Sequence, residues 1–422
     1  MKKSLLFAMS LLISVVVMAQ EKAMSFTDFS RVQLSKELKP QKPSNAVIKT
    51  IKTFKELSVN HSSNRAAGAF PYGDWIYNGM NGENPHVANS LSDFKMEEAS
   101  VQDDDNGTVY NVKVCNLGGY VFSPYATYDD ATGTLTIPSW QVVYTSESYG
   151  DCALAGFTGE NYDDNIVFTK DENGNFTMTN DGWDVIIVNE ESEYYGYYLV
   201  ENTEVDLYKP NAVCTFQAPT QTGYNEISGT AYVEDYGDQL NVYGMFSYAG
   251  DASITMIEMN TNGVATIPSD QQVDSEDQSE YIKTNYGIDG EFGYLRFIPW
   301  LKKVSDEEYD YATADDLEAD LVYTYLSPLP CKISDDKTSL SSPFLFTFAT
   351  AYVDGAGALN YGEFYGLSLA LTEGTFSIST GISEVNTANK TATAKTYNML
   401  GQQVNAGAKG LLIRDGRKFI AK

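Results

Sequence analysis

A chain of 422 residues with 28 basic and 57 acidic side chains, formal net charge -29, is long enough for two or three domains with cores of their own. That charge repels phosphate backbones and anionic lipid, so nucleic acid is not expected as a partner, and solubility outside the cell is the plainer meaning of the acidity. The charge is uneven: Lys22 to Arg65 holds nine basic and three acidic residues and Gly381 to Lys422 seven and two, which leaves the acidity in the body between.

The opening MKKSLLFAMSLLISVVVMAQ has a charged start, an apolar run from Leu5 to Met18 and small residues around Ala19. This is the pattern of a secretory signal peptide over residues 1–19, with Ala19 at the cleavage position. The run is short for a bilayer span and no later stretch reaches the ~18 to 20 apolar residues one needs, so no transmembrane segment is expected. The expected location is extracytoplasmic, secreted or held at the outer-membrane surface. Export permits the four cysteines, Cys115, Cys152, Cys214 and Cys331, to pair; three connectivities are open, and one disulfide is favoured over four buried thiols. Their wide spacing is no zinc signature.

Residues 20–67 form an N-terminal arm. In NAVIKTIKTFKEL, Val47, Ile51 and Phe54 recur at helical spacing after a capping Asn45, which predicts one short helix. An arm laid on the following domain is the preferred reading. The apolar face is too narrow for Lys49, Lys52 and Lys55 to make it a membrane anchor.

From Phe70 the texture changes to short runs of Val, Ile, Thr, Tyr and Phe broken by Gly, Asn and Asp. IVFTKDENGNFTMT alternates at Ile166 and Phe168, turns at Asn173-Gly174 and resumes at Phe176 and Met178, a β-hairpin signal because Asn-Gly accepts positive φ. DDDNGTVYNVKV and DDATGTLTIP repeat the form, and TADDLEADL is the one short helix expected in the body. The predicted class is all-β.

TGTLTIPSWQVV from Thr132 returns as NGVATIPSDQQV from Asn262, an offset of 130 residues. This predicts two tandem related β-modules of sandwich or barrel type, residues 68–217 and 218–380, in which a strand exits at Pro138 and Pro268. Trp140 in the first copy faces Asp270 in the second; a shared core would not alternate these, so the position is expected to be exposed and Trp140 is a candidate contact residue.

Catalytic machinery is limited by the presence of only two histidines, His61 and His86, and no G-x-S-x-G, H-E-x-x-H or P-loop occurs. Carboxylate runs such as Glu190, Glu191 and Glu193 read as solvated faces. Asp103 and Asp105, and Asp171 with Asn173, resemble the start of a calcium loop, but Gly174 falls at the fourth position and Gly182 where the bidentate Glu belongs. Hairpin turns are preferred and no cofactor is expected, with calcium second. In EYYGYYLVEN a strand would put Tyr195 and Tyr197 on one face and Tyr194 and Tyr198 on the other; Tyr195 and Tyr197 are candidate sugar-facing rings beside the bland reading of cross-strand packing. Trp75 and Trp183 follow tight turns and are expected in the core.

The tail, residues 381–422, reads as strand, turn, strand, an Asp415-Gly416 hairpin turn and a last strand. Tyr397, then Leu400-Gly401-Gln402 and Val404, Lys409-Gly410-Leu411, and Gly416 with Lys418 carry its motif. This resembles the C-terminal sorting domain family of type IX (Por) secretion in Bacteroidota. The resemblance implies recognition by secretion machinery at the outer membrane, followed by release or attachment at the surface. The body more loosely resembles tandem β-modules of exported Bacteroidota proteins without known activity, which supplies no site. The function expected is a secreted or surface, non-enzymatic binding or adhesion-type protein with a glycan or protein ligand; the rivals are a glycosidase using a carboxylate pair and a structural surface component.

Overall fold

The computed structural model describes residues 70–378 apart from 82–83, 92–93, 104–106, 160, 221, 248–253, 261–263, 280–281, 284–288, 306–307, 324–326 and 352–357, together with Pro40, Gln41, Val59–His61 and four strands between 396 and 421. Ala19, the helix expected after Asn45, Asp105, Gly401, Gln402 and Gly416 lie outside the described residues.

Alternating apolar and polar residues become strands whose side chains alternate between core and solvent, as in Thr134–Ile137 and Ala212–Thr220. The body is all-β, as expected. Eight of these strands close a barrel in the order Ala212–Thr220, Gly223–Asp235, Gln239–Tyr243, Ile254–Met259, Val264–Ile267, Leu329–Ile333, Ser339–Ser342 and Tyr365–Leu371. Its core includes Phe216, Leu240, Ile257, Ile267, Leu340 and Leu369. Closure leaves no free sheet edge in this ring. Beside it Gln271–Asp277, Tyr294–Lys303 and Phe346–Ala351 make a side sheet.

A first strand system precedes it. Lys95–Asp103, Val109–Cys115, Tyr125–Asp129, Thr134–Ile137, Ile166–Lys170, Phe176–Met178 and Tyr198–Tyr208 follow one another in one antiparallel path. Gly73–Asp74 pairs with the first of these and Ile76–Asn81 with the last. The one residue between them, Trp75, is fully buried and so bridges both ends of the path. Gln141–Ser146, Gly150–Thr158 and Gly182–Ile187 pair beside it.

The echoed sequences adopt the same local geometry. Gln141 donates from Nε2 to the carbonyls of Tyr125 (2.8 Å) and Pro138 (3.0 Å) and accepts from the Tyr125 N–H (2.9 Å). Gln271 donates to the carbonyls of Met256 (2.9 Å) and Pro268 (3.0 Å) and accepts from the Met256 N–H (2.7 Å). The residues just before them, Trp140 and Asp270, both have φ of 70°.

Three expectations change. The strand Ala212–Thr220 runs straight through the boundary expected at 217–218; the connection between the two strand systems is Lys209-Pro210-Asn211, because Pro210 lacks the N–H a ladder needs. The four cysteines, Cys115, Cys152, Cys214 and Cys331, are free and buried on four different strands, not paired. Closed ladders and large cores hold the fold, so each thiol packs as a small apolar side chain. TADDLEADL makes only a single 3-10 turn, Ala314–Asp316.

Residues Ser379–Lys422 form a separate compact unit. Its strands are ordered Gln403–Val404, Thr396–Asn398, Gly410–Arg414, Arg417–Ala421. Tyr397, Val404, Gly410, Leu411 and Lys418 fall in strands, and Arg414 pairs with Arg417, which leaves a two-residue connection at the expected turn. Among the described residues no helix is long and apolar enough to cross a membrane.

Candidate functional site

The connection Lys209-Pro210-Asn211 lies in a cleft of about 460 Å3 whose walls come from both strand systems. The wall from the first system is the hairpin loop after Ile166–Lys170. Lys170 pairs with Phe176, so the loop spans five residues, not the two of a tight Asn-Gly turn. Asp171 closes it: its Oδ1 accepts from the N–H groups of Asn173 (2.9 Å) and Asn175 (2.8 Å). This orients Asn175, which donates to the Tyr232 hydroxyl (3.0 Å) and accepts from the Lys209 N–H (3.0 Å). One buried amide thus ties the loop, the connection and the barrel together.

The opposite wall is the end of Gly223–Asp235. Asn211 clips onto it, donating to the Val233 carbonyl (2.9 Å) and accepting from the Val233 N–H (2.8 Å). Tyr232 stacks on Tyr208, with ring centroids 4.5 Å apart and planes 2° from parallel, and Tyr243 packs on Tyr208 at 4.6 Å. Offset aromatic contacts of this kind add rigidity beyond the area they bury. Glu234 Oε2 accepts from the hydroxyls of both Tyr243 and Tyr236, each at 2.9 Å. Tyr236 is 62% exposed, with its hydroxyl fixed by that bond.

The electrostatics follow from crowded phenols and carboxylates. Burial raises the pKa of Tyr208, with Asp206 adding to it, and burial raises Tyr243, with its bond to Glu234 adding to it. Desolvation likewise raises Asp206. Asp235 accepts from the N–H groups of Gly237 (2.8 Å) and Ser377. Carboxylates engaged in this way hold tyrosine hydroxyls and backbone in place, and they present a hydroxyl-rich, acidic surface to anything in the cleft.

The residues expected to touch ligand are elsewhere. Trp140 is half-buried, not exposed: its ring packs down with Nε1 inaccessible and without a hydrogen-bond partner. The position alternates between Trp and Asp because what the two echoed stretches share is the left-handed backbone, not burial. Residues 193–196 are a turn, not a strand, since Gly196 takes φ of 84°. Tyr197 and Tyr194 therefore pack together with Tyr149 against the first core, and only Tyr195, 38% exposed, faces solvent. Trp75 and Trp183 are fully buried, as expected.

The described calcium-like residues have separate partners. Asp171 and Asn173 belong to the cleft loop, where Asp171 acts as a turn acceptor. Asp103 accepts from the Tyr110 hydroxyl (3.4 Å) on the neighbouring strand. The cleft residues Tyr232, Tyr236 and Glu234 escaped sequence reasoning; the signal was the alternation in AYVEDYG, legible only once the strand end is known to meet the first system. No protein-family model, curated protein or solved structure matches the chain.

Proposed function

We propose that this is an exported, non-enzymatic binding protein built from two copies of one β-module, and that its ligand is a glycan taken up in the cleft between them. The observation that carries the reading is the exposed Tyr236, held by Glu234 beside the Tyr208–Tyr232 stack. Aromatic faces suit the C–H faces of sugars, and carboxylates and amides suit their hydroxyls. The engagement of Glu234 by two phenols favours binding over acid–base catalysis, since a general acid or base has to reach the substrate's proton. The copies are supported by the shared Gln141 and Gln271 geometry. A glycan array with the full mature chain tests the reading: a hit that weakens in Tyr236→Ala supports it, and silence with capture of a protein ligand at an unrelated surface overturns it.

Export rests on the signal-peptide pattern ending at Ala19 and on the tail's resemblance to type IX sorting domains. In this reading the tail is an address read by secretion machinery. Deleting residues 381–422 is expected to leave a folded protein that fails to reach the surface or medium; unchanged delivery would refute the address.

A further inference from the structure

Asp184 is fully buried, and neither carboxylate oxygen has a hydrogen-bond partner. It sits on Gly182–Ile187, where alternation sends Trp183, Val185 and Ile187 into the first core and Asp184 to the opposite face. On that face it is paired with Ala155 on one side and Glu201 on the other. Directly opposed residues of an antiparallel pair share a face with Cβ atoms about 5 Å apart. Tyr162, on the adjoining strand Asn161–Asp164, packs its ring on Phe157 with centroids 5.6 Å apart, and Phe157 pairs with Gly182, two residues before Asp184 on the same face.

The second strand system shows what the fold itself requires here. Val185 is reached from Gln141 through Leu154, and Phe348 from Gln271 through Phe297, by the same pairings. The residue before Phe348 is Thr347, so Thr347 occupies the position of Asp184. Its hydroxyl satisfies itself on the Phe348 carbonyl (3.2 Å), and the face it shares carries the apolar cluster Ile298, Trp300, Leu345 and Ala349. A neutral, self-satisfied side chain therefore serves the fold, and the two carboxyls of the first system answer to something else.

A charge in such a place has to be neutralised. A proton would remove the charge of Asp184; a cation would satisfy its oxygens as well as its charge. Among the described residues no lysine, arginine or histidine pairs with Asp184 or Glu201. We propose that Asp184, Glu201 and the Tyr162 hydroxyl hold a hard divalent cation on the face of the Gly182–Ile187 and Tyr198–Tyr208 strands that points away from the first core. Two carboxylates match a double positive charge, and oxygen-only ligands select calcium or magnesium over softer metals. Water completes the shell.

Terbium tests this in the chelator-treated full chain, because Tyr162 and Trp183 are placed to sensitise its emission. Expected are saturable terbium emission displaced by calcium, a rise in melting temperature on adding calcium, and loss of both in Asp184→Asn and Glu201→Gln. Asp103→Asn and Asp171→Asn serve as controls and should keep both. Asp184→Thr, copying Thr347, guards against misfolding: it should melt cooperatively and no longer respond to calcium. Emission and calcium response that persist in Asp184→Asn and Glu201→Gln would overturn the proposal. So would a wild type with neither signal whose melting temperature follows pH alone, since that marks a stored proton.

Discussion

Gln141 and Gln271, 130 residues apart, bracket their neighbours identically: each side chain spans the backbone N–H and C=O of one strand residue and the carbonyl of the proline three positions before it. The bracket ties Gln141–Ser146 to Tyr125–Asp129 in the first system and Gln271–Asp277 to the barrel strand Ile254–Met259 in the second, strands that do not pair directly with each other. Truncation to alanine strands the N–H of Tyr125 or Met256, and an unsatisfied buried donor costs about 1–3 kcal/mol. Gln141→Ala and Gln271→Ala should both lower the urea midpoint, Gln141→Ala more, because Gln141 is buried and Gln271 half-buried. A loss seen in only one would show that the shared geometry does not carry shared energetics.

The thiols give a second prediction. Burial pushes Cys152, Cys214 and Cys331 up to about 12 and raises Cys115 as well. Only the thiolate attacks a disulfide reagent, so the native protein should show no fast-reacting thiol. In denaturant without reductant all four should react; two would reveal a disulfide and reverse the assignment.

How far the sequence reaches is clear at the cleft hairpin. Ile166, Phe168, Phe176 and Met178 alternate in the sequence and are buried in the structure, so the strands were legible. The turn between them was not, because its length is set by Asp171 gripping Asn175, and Asn175 is in turn held by Tyr232, a partner 57 positions away. Trp140 failed for a related reason: a left-handed backbone at φ of 70° is invisible when the residue is not glycine. The echo between the two stretches was legible as matching letters, yet the geometry they share lies in Gln141 and Gln271, whose hydrogen bonds run to strands the matched stretch does not include. A reader of one sequence sees periodicity within strands far better than side chains that reach between them.

Asn175 and Tyr236 should separate the scaffold of the cleft from its contact surface. Asn175→Ala leaves the Tyr232 hydroxyl and the Lys209 N–H without their partner. A destabilisation of about 1–3 kcal/mol is expected. Tyr236 is exposed and donates one hydrogen bond at the rim, so Tyr236→Ala should move stability by no more than about 0.5 kcal/mol. Its effect should appear in titrations with any glycan hit, as weaker binding without a change in melting temperature. Unchanged affinity would remove Tyr236 from the site.

Asp316 should make stability depend on acid in one definite direction. It accepts from the N–H (2.9 Å) and hydroxyl (2.8 Å) of Thr313 and from the Lys302 ammonium (3.0 Å). The Thr313 backbone bond, then the Thr313 hydroxyl and Lys302, lower its pKa to about 2 from the ordinary 3.8. The folded state therefore binds the proton less readily than the unfolded chain. The stabilisation is fully present above the unfolded value and is lost as pH falls through the folded one. Asp316→Asn keeps the shape and one acceptor but discards the charge. Its urea midpoint should lie below wild type at pH 7, and the gap should narrow on acidification from about pH 4 toward 2. A gap that stays constant over that window would mean that packing, not the carboxylate's charge, holds the Thr313 cap.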